Sequence, residues 1–354
     1  MNELYVIKEG KRLRCGYTTG SCSAAAAKAA VIMLLGKRKI EYVDIDTPYG
    51  MKLKLKVEKA EVNDEFSSCC IVKDSGDDPD ATDGIEIFAR VTRRDDNIIN
   101  IDGGQGIGRI KRKGLFGKVG EAAINPVPRK MIEDEIRRVS NKGYNITIYA
   151  PEGEVIAKKT FNENIGVFGG ISIIGTTGIV EPMSEAALVK TIYMEIDKIY
   201  DEGSRSIILF PGNYGETMVK ELGLSAPRVK VSNYIGDALL YCKSKGFTEI
   251  ILVGHIGKFS KLSLGIFNTH SKVCDTRIEA FIYYLAMLGA PMEVLQEMRK
   301  CVTAEEAVKI IHNTSWNKVF SYMTTGCEKR IRKYLKTDQI KIKVYIYSME
   351  YGVL

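Results

Sequence analysis

Three apolar runs in the second half of the chain each stop at a glycine-rich turn. Residues 206–210 (SIILF) end at Pro211-Gly212-Asn213-Tyr214-Gly215. Residues 248–253 (TEIILV) end at Gly254-His255-Ile256-Gly257-Lys258, and residues 171–174 end at Gly175-Thr176-Thr177-Gly178. Short apolar runs bounded by turn residues predict buried strands. Helical patterns separate them. Residues 184–201 carry Leu188, Ile192, Ile196 and Ile199 on one stripe, which are core positions. Strands alternating with helices predict a parallel sheet with right-handed crossovers, whose carboxyl ends converge on a ligand crevice.

The first half has a different rhythm. Gly16-Tyr17-Thr18-Thr19-Gly20 leads into an alanine run that Gly36 stops, a turn feeding a helix of small side chains. Residues 44–56 hold two β-like runs around Thr47-Pro48-Tyr49-Gly50, and 66–72, 85–91 and 98–101 are further strands. Strands following one another through turns predict an antiparallel sheet. Residues 126–139 predict a helix opened by prolines, and 145–149 with 154–157 a hairpin. A change of pattern near residue 160 divides the chain into an α+β domain, 1–160, and a Rossmann-like α/β domain with a mainly parallel sheet, 161–354. In the latter, 275–288 predict a helix, Thr303 and Glu306 a capping box, Thr324-Thr325-Gly326 a turn before a helix, and 340–347 an edge strand. Asn213 and Asn233 stand where helix caps are needed.

Two loops invite chemistry. Residues 73–84, with Asp74, Asp77, Asp78, Asp80 and Asp83, look like a cation loop but lack the EF-hand spacing, and a solvated turn is the preferred reading. Gly103-Gly104-Gln105-Gly106-Ile107-Gly108 resembles a dinucleotide fingerprint. The basic run Arg109, Lys111, Arg112, Lys113 follows it in place of an apolar helix, so a carboxylate grip through N–H groups and guanidinium fits better.

Composition changes little. A chain of 354 residues with a net charge of +7 suits an anionic small substrate or nucleic acid. The eight cysteines show no metal spacing, so no protein-bound metal is expected and most are small core residues. No apolar run suggests a membrane span, and the start lacks a signal-peptide core, which predicts a cytoplasmic protein.

Six blocks carry a resemblance. They are Gly16 to Cys22 before the alanine helix, Gly76-Asp77-Asp78-Pro79-Asp80, Ala123-Ile124-Asn125-Pro126-Val127-Pro128-Arg129, Gly175-Thr176-Thr177-Gly178-Ile179-Val180-Glu181-Pro182, Pro211 to Gly215, and Gly254 to Lys258 with Gly265-Ile266-Phe267-Asn268-Thr269-His270-Ser271. In this order they resemble the cobalt-precorrin-5B C-1 methyltransferases (CbiD) of oxygen-independent cobalamin biosynthesis. Ser21, Ser23, Ala122 and Cys274 depart from the pattern. The resemblance implies methyl transfer from S-adenosylmethionine to C-1 of the substrate cobalt-precorrin-5B, with neighbouring corrin-pathway enzymes as partners and neither nucleic acid nor membrane.

For that chemistry the expected cofactor-binding residues are Gly175, Thr176, Thr177, Gly178, Glu181, Pro211, Gly212, Asn213, Tyr214, Gly215, Gly254 and Gly257. Glu181 would meet the ribose or ammonium, and Asn213 and Tyr214 the adenosine. Thr18, Thr19, Gly103, Gly104, Arg109, Lys111, Asn125, Arg129 and Lys258 are expected to hold the macrocycle, the cations and backbone N–H groups through its carboxylates. His255 and His270 are the candidate bases, each with a structural histidine as the alternative; His312 is left to the core. A nicotinamide-dependent oxidoreductase and a nucleic-acid-binding protein are the competing classes.

Overall fold

The computed structural model describes residues 4–8, 10–112, 116–160, 162–163 and 165–354. Lys113 of the basic run lies outside them. The chain forms two compact units, Met1–Ser184 and Glu185–Leu354. They part at Ser184 and not near residue 160, because 171–180 is woven into the first unit.

That unit runs β1 (Tyr5–Lys8), β2 (Lys11–Arg14), β3 (Gly16–Tyr17), α1 (Thr19–Gly36), β4 (Tyr42–Asp46), β5 (Lys52–Lys56), β6 (Glu58–Val62), β7 (Phe66–Val72), β8 (Glu86–Arg93), β9 (Ile99–Gly103), β10 (Arg109–Ile110), α2 (Pro126–Arg137), β11 (Tyr144–Tyr149), α3 (Gly153–Ala157), β12 (Val167–Phe168) and β13 (Ile179–Val180). Its main sheet has the order β6-β7-β8-β11-β9, antiparallel except for the β11–β9 pair. The alternating residues of β4 and β5 form the expected hairpin. Alpha-1 is the core helix. Its alanines, Ser21, Ser23 and Cys22 are buried, so the small side chains let strands and α2 approach from several sides. Contrary to the expectation of no membrane-length run, α1 is long and apolar enough to cross a bilayer by length and composition, yet 78% of it is buried inside the unit. Burial pushes the thiols of Cys22, Cys69 and Cys70 up to about 12, as expected of packed core cysteines.

Two local expectations are corrected here. Residues 154–157 form α3, not the second strand of a hairpin; Ile156 N–H bonds back to the Glu152 carbonyl. Residues 171–174 make single bridges, Ile171 to Ile107 and Ile173 to Ile124, instead of a strand ladder.

The second unit runs α4 (Glu185–Asp201), β14 (Ser206–Phe210), α5 (Gly215–Glu221), β15 (Arg228–Lys230), α6 (Ile235–Lys245), β16 (Glu249–His255), α7 (Ile256–Ser263), α8 (Arg277–Met287), α9 (Met292–Met298), α10 (Ala304–Ile311), α11 (Val319–Leu335), β17 (Lys341–Ser348) and β18 (Gly352–Val353). Its sheet order is β15-β14-β16-β17-β18, parallel but for β18. The two-residue β18 pairs only with Tyr347 and Ser348, so β17 is an edge strand over most of its length, as expected, and is covered only at its end. Thr303 and Glu306 form the capping box of α10. Thr324-Thr325-Gly326 lies inside α11, not before it, because the helix starts earlier from the turn at Ser315–Lys318. Tyr214 and Tyr234, not Asn213 and Asn233, occupy the cap positions of α5 and α6.

Candidate functional site

The order β15-β14-β16 reverses direction at β14, so the carboxyl ends of β14 and β16 flank a switch point where parallel sheets bind ligands. There Phe210 passes into Pro211-Gly212-Asn213, and His255 starts α7. Gly212 faces open space, whereas Gly215 is held against the Phe210 ring. Tyr214 is exposed at the start of α5.

Lysines gather along this edge. Lys258 stands in the first turn of α7, where a cation opposes the helix dipole. Its Nζ donates to the Pro211 carbonyl at 2.9 Å. Burial first, then the charges of Lys261 and Lys230, bring its ammonium down to about 8. Lys230, at the end of β15, donates to Asn213 Oδ1. Lys261 is buried and donates to the Thr269 carbonyl at 2.9 Å, and its pKa is lowered chiefly by desolvation. Thr269 in turn donates to Asn233, which folds the segment carrying His270 back onto the β15–α6 connection. The edge is thus an electropositive site suited to an anionic ligand.

His255 is placed here but is occupied at both ring nitrogens. Nδ1 accepts from Gly257 N–H at 3.1 Å, and Nε2 meets Glu305 Oε1 at 2.5 Å. Glu305 also accepts from Ser348 Oγ and Met349 N–H. His255 therefore clasps α7 to α10 and the β17–β18 turn, and the expectation of a base there gives way to a structural role. The same bond uses the Gly257 N–H. Gly254 is packed under Phe259, so it serves close packing. Burial raises the Glu305 carboxyl, but its bonds from Ser348, Met349 and His255 outweigh this and hold it below its ordinary value. Its stabilising effect is present above the unfolded pKa and is lost as pH falls through the folded one. Glu305→Gln is expected to lower stability at pH 7 by about 1–2 kcal/mol and to flatten the acid limb of urea denaturation midpoints between pH 3 and 6. His270 differs: its Nδ1 accepts from Lys272 N–H, and it is half-buried beside the lysine edge. His312 stacks on Tyr351 at 4.1 Å.

The other expected residues lie in the first unit. Thr18 and Thr19 meet the segment of the second Thr-Thr-Gly. Thr18 N–H and Ser21 Oγ donate to the Gly178 carbonyl, Gly20 N–H donates to the Ile174 carbonyl, and Thr19 Oγ1 accepts from Ile174 N–H. Gly175, with φ 139°, leaves room for Thr18. The two tripeptides therefore form one junction in one unit, and Gly175, Thr176, Thr177, Gly178 and Glu181 are not on the parallel sheet's edge as expected. The α1 N-terminus spends its N–H groups inside the fold. Asn125 adjoins this junction through its N–H on the Ile173 carbonyl, and its Oδ1 is buried with no hydrogen-bond partner among the described residues.

The glycine-rich loop is similarly consumed. Gly103 and Gly104 pack against Ala122, Ile107 and Thr147, and Gly104 N–H bonds to Ile148. Arg109 pairs with Asp102, and Arg129 donates to the carbonyls of Ile124, Ile101 and Ala122. Lys111 is exposed beside the Phe168 ring. The loop leads into β10 and not into a helix, which removes the dinucleotide fingerprint. The acidic loop folds itself: Asp74 grips Arg14, Asp77 accepts from Arg14 N–H, Asp78 from Met183 N–H and Asp83 from Ser75 N–H, and Asp80 pairs with buried Lys73. Among the described residues no cluster of His, Cys, Asp or Glu could hold a metal ion. Lys230, Lys261 and Glu305 were missed as site residues. Lys230 sits on a three-residue strand too short to show a period, and Glu305 reaches His255 from fifty positions away.

Residues 6–182 match the CbiD family and residues 268–354 match the CbiD C-terminal domain. A Cobalt-precorrin-5B C(1)-methyltransferase of Alkaliphilus oremlandii (strain OhILAs) is 63% identical over 354 residues, covering 100% of this chain and 99% of that protein. One of the same name from Treponema denticola is 55% identical, covering 99% of each. The crystal structure of a cobalamin biosynthesis protein (cbiD) from Archaeoglobus fulgidus aligns with 30% identity and a TM-score of 0.43 over 77% of this chain and 88% of that one. With its two ends matched by the two parts of the family and its whole length by such relatives, the chain belongs to the CbiD family.

Proposed function

We propose that this chain transfers a methyl group from S-adenosylmethionine to C-1 of cobalt-precorrin-5B, giving cobalt-precorrin-6A in anaerobic cobalamin biosynthesis, as a cytoplasmic enzyme. The observation that carries the reading is full-length identity to curated relatives of that name. We assign the second unit as the Rossmann-like domain that takes the methyl donor. The lysine edge, the open face at Gly212 and exposed Tyr214 suit a ligand that combines a nucleoside with a carboxylate.

When bound, S-adenosylmethionine supplies an activated methyl group. Its leaving group departs as a neutral thioether, so the chain need not protonate it. The work left to the protein is orientation and exclusion of water. Lys258 holds a carboxylate through its two remaining N–H directions, with its third fixed on Pro211. In the neutral ring of His270 Nδ1 accepts from Lys272 N–H, so Nε2 carries the hydrogen and is a donor; taking a proton from the macrocycle would require Nδ1 to give up the Lys272 contact.

Methyl-labelled S-adenosylmethionine and cobalt-precorrin-5B test this reading directly. Label should appear in the corrinoid, and S-adenosylhomocysteine, but not NAD, should raise the melting temperature. Stabilisation by NAD alone, or no label transfer by folded protein, would overturn it.

A further inference from the structure

A groove of about 540 Å³ opens between α8 and α11 in the second unit. The volume lies within the roughly 300–1,000 Å³ of small-molecule sites. Tyr283, Tyr284 and Tyr322 give it aromatic walls, and Lys329, Arg330 and Lys333 stand along one side. Among the described residues, no acidic residue lines it. Among the described residues, these three cations make no ion pair. Three adjacent unpaired cations repel one another, which costs stability unless an anion offsets it.

The floor of the groove shows a second feature. Gly326 lies inside α11, where glycine costs about 1 kcal/mol relative to alanine. A Cβ there would collide with the Tyr284 hydroxyl. That hydroxyl donates to the Ser263 carbonyl at 2.9 Å, at the end of α7. The glycine therefore keeps the ring of Tyr284 seated in the groove. Alpha-7 links this floor to the lysine edge: the helix rises about 8 Å from Lys258 to Ser263. A tetrapyrrole with extended side chains spans a distance of that order.

Resting on the substrate class given above, we propose that the groove between α8 and α11 binds the carboxylate-bearing rim of the corrinoid. The conjugated edge lies against Tyr283 and Tyr322, and acetate or propionate groups pair with Lys329, Arg330 and Lys333. Exposed aromatic faces beside cations suit a flat polyanion better than a purely aliphatic or cationic ligand.

The test is titration of the full-length protein with a cobalt corrin bearing free carboxylates and with the same corrin fully amidated, followed by Trp316 fluorescence. The wild type should bind the carboxylated corrin at least tenfold more tightly. The triple variant Lys329→Ser/Arg330→Ser/Lys333→Ser should lose about tenfold or more for the carboxylated corrin and nothing for the amidated one. S-adenosylhomocysteine binding should be unchanged in it, and Lys300→Ser serves as the control for net charge. Tyr322→Leu, at an exposed position, should weaken both corrins while keeping the melting temperature. Wild-type affinity in the triple variant would overturn the groove assignment and leave the enzyme's function standing. Failure of the wild type to bind either corrin would overturn the substrate class, and the groove assignment with it.

Discussion

Lys258→Met should lower kcat/KM by on the order of a hundredfold without unfolding the protein. The side chain is half-buried in the first turn of α7, a place that disfavours a cation, and is held by the Pro211 carbonyl. Removing one partner of a desolvated charge pair costs about 2–5 kcal/mol, and 1.4 kcal/mol is a factor of ten. The pH dependence separates this role from a structural one. Burial and the neighbouring lysines bring the folded pKa down to about 8 from 10.5. Below about 8 the charged amine is present in both folded and unfolded chains, and the fold bears its burial cost. Between about 8 and 10.5 the unfolded chain binds the additional proton, so stability rises with pH in that window. Affinity for an anionic ligand moves oppositely, falling about tenfold per unit above pH 8 as the charge is lost. In Lys258→Met both trends should vanish, and stability at pH 7 should equal or exceed that of the wild type. A variant that melts early and keeps the alkaline loss of binding would show that another group titrates.

Gly254→Ala is the second large effect, and it acts through packing. A Cβ at Gly254 would clash with the ring of Phe259, against its Cδ1, Cε1 and Cζ atoms. Phe259 is fully buried in the core of the second unit, and Gly254 is in a strand paired on its β17 side with Ile346. Neither the backbone nor the ring can retreat cheaply. Overpacking of this kind costs about 1–3 kcal/mol, and here it also moves the His255 and Lys258 turn. Urea denaturation should show a loss at the upper end of that range. Gly254→Ala/Phe259→Leu should recover part of it, since the smaller side chain vacates the clashing volume. No recovery would mean that backbone conformation, and not the ring, limits this position.

Much of the fold was legible because it depends on local rules. The apolar runs ending at Phe210 and near His255 became strands β14 and β16, since their β-branched residues and the glycines after them act within a few positions. The alanine run became α1, and Thr303 with Glu306 capped α10. The same rules misread residues 154–157 and 171–174. Apolar runs that short suit either a strand or another buried segment, and only their neighbours decide. The family blocks were legible as a set, because six in order exceed what turn chemistry alone would repeat.

The roles of individual residues depended on long-range partners. Arg109 and Arg129 look like carboxylate grips in the sequence, yet Asp102 and three backbone carbonyls take their donors. His255 looks like a base until Glu305 and the Gly257 N–H take both its nitrogens. The sequence by itself determined the segments, the candidate loops and the family. Tertiary structure alone decided which polar groups the fold consumes and which it leaves for a ligand. The reason is physical: each donor or acceptor bonds whatever the folded chain brings within about 3 Å, and that neighbour is usually far away in the sequence.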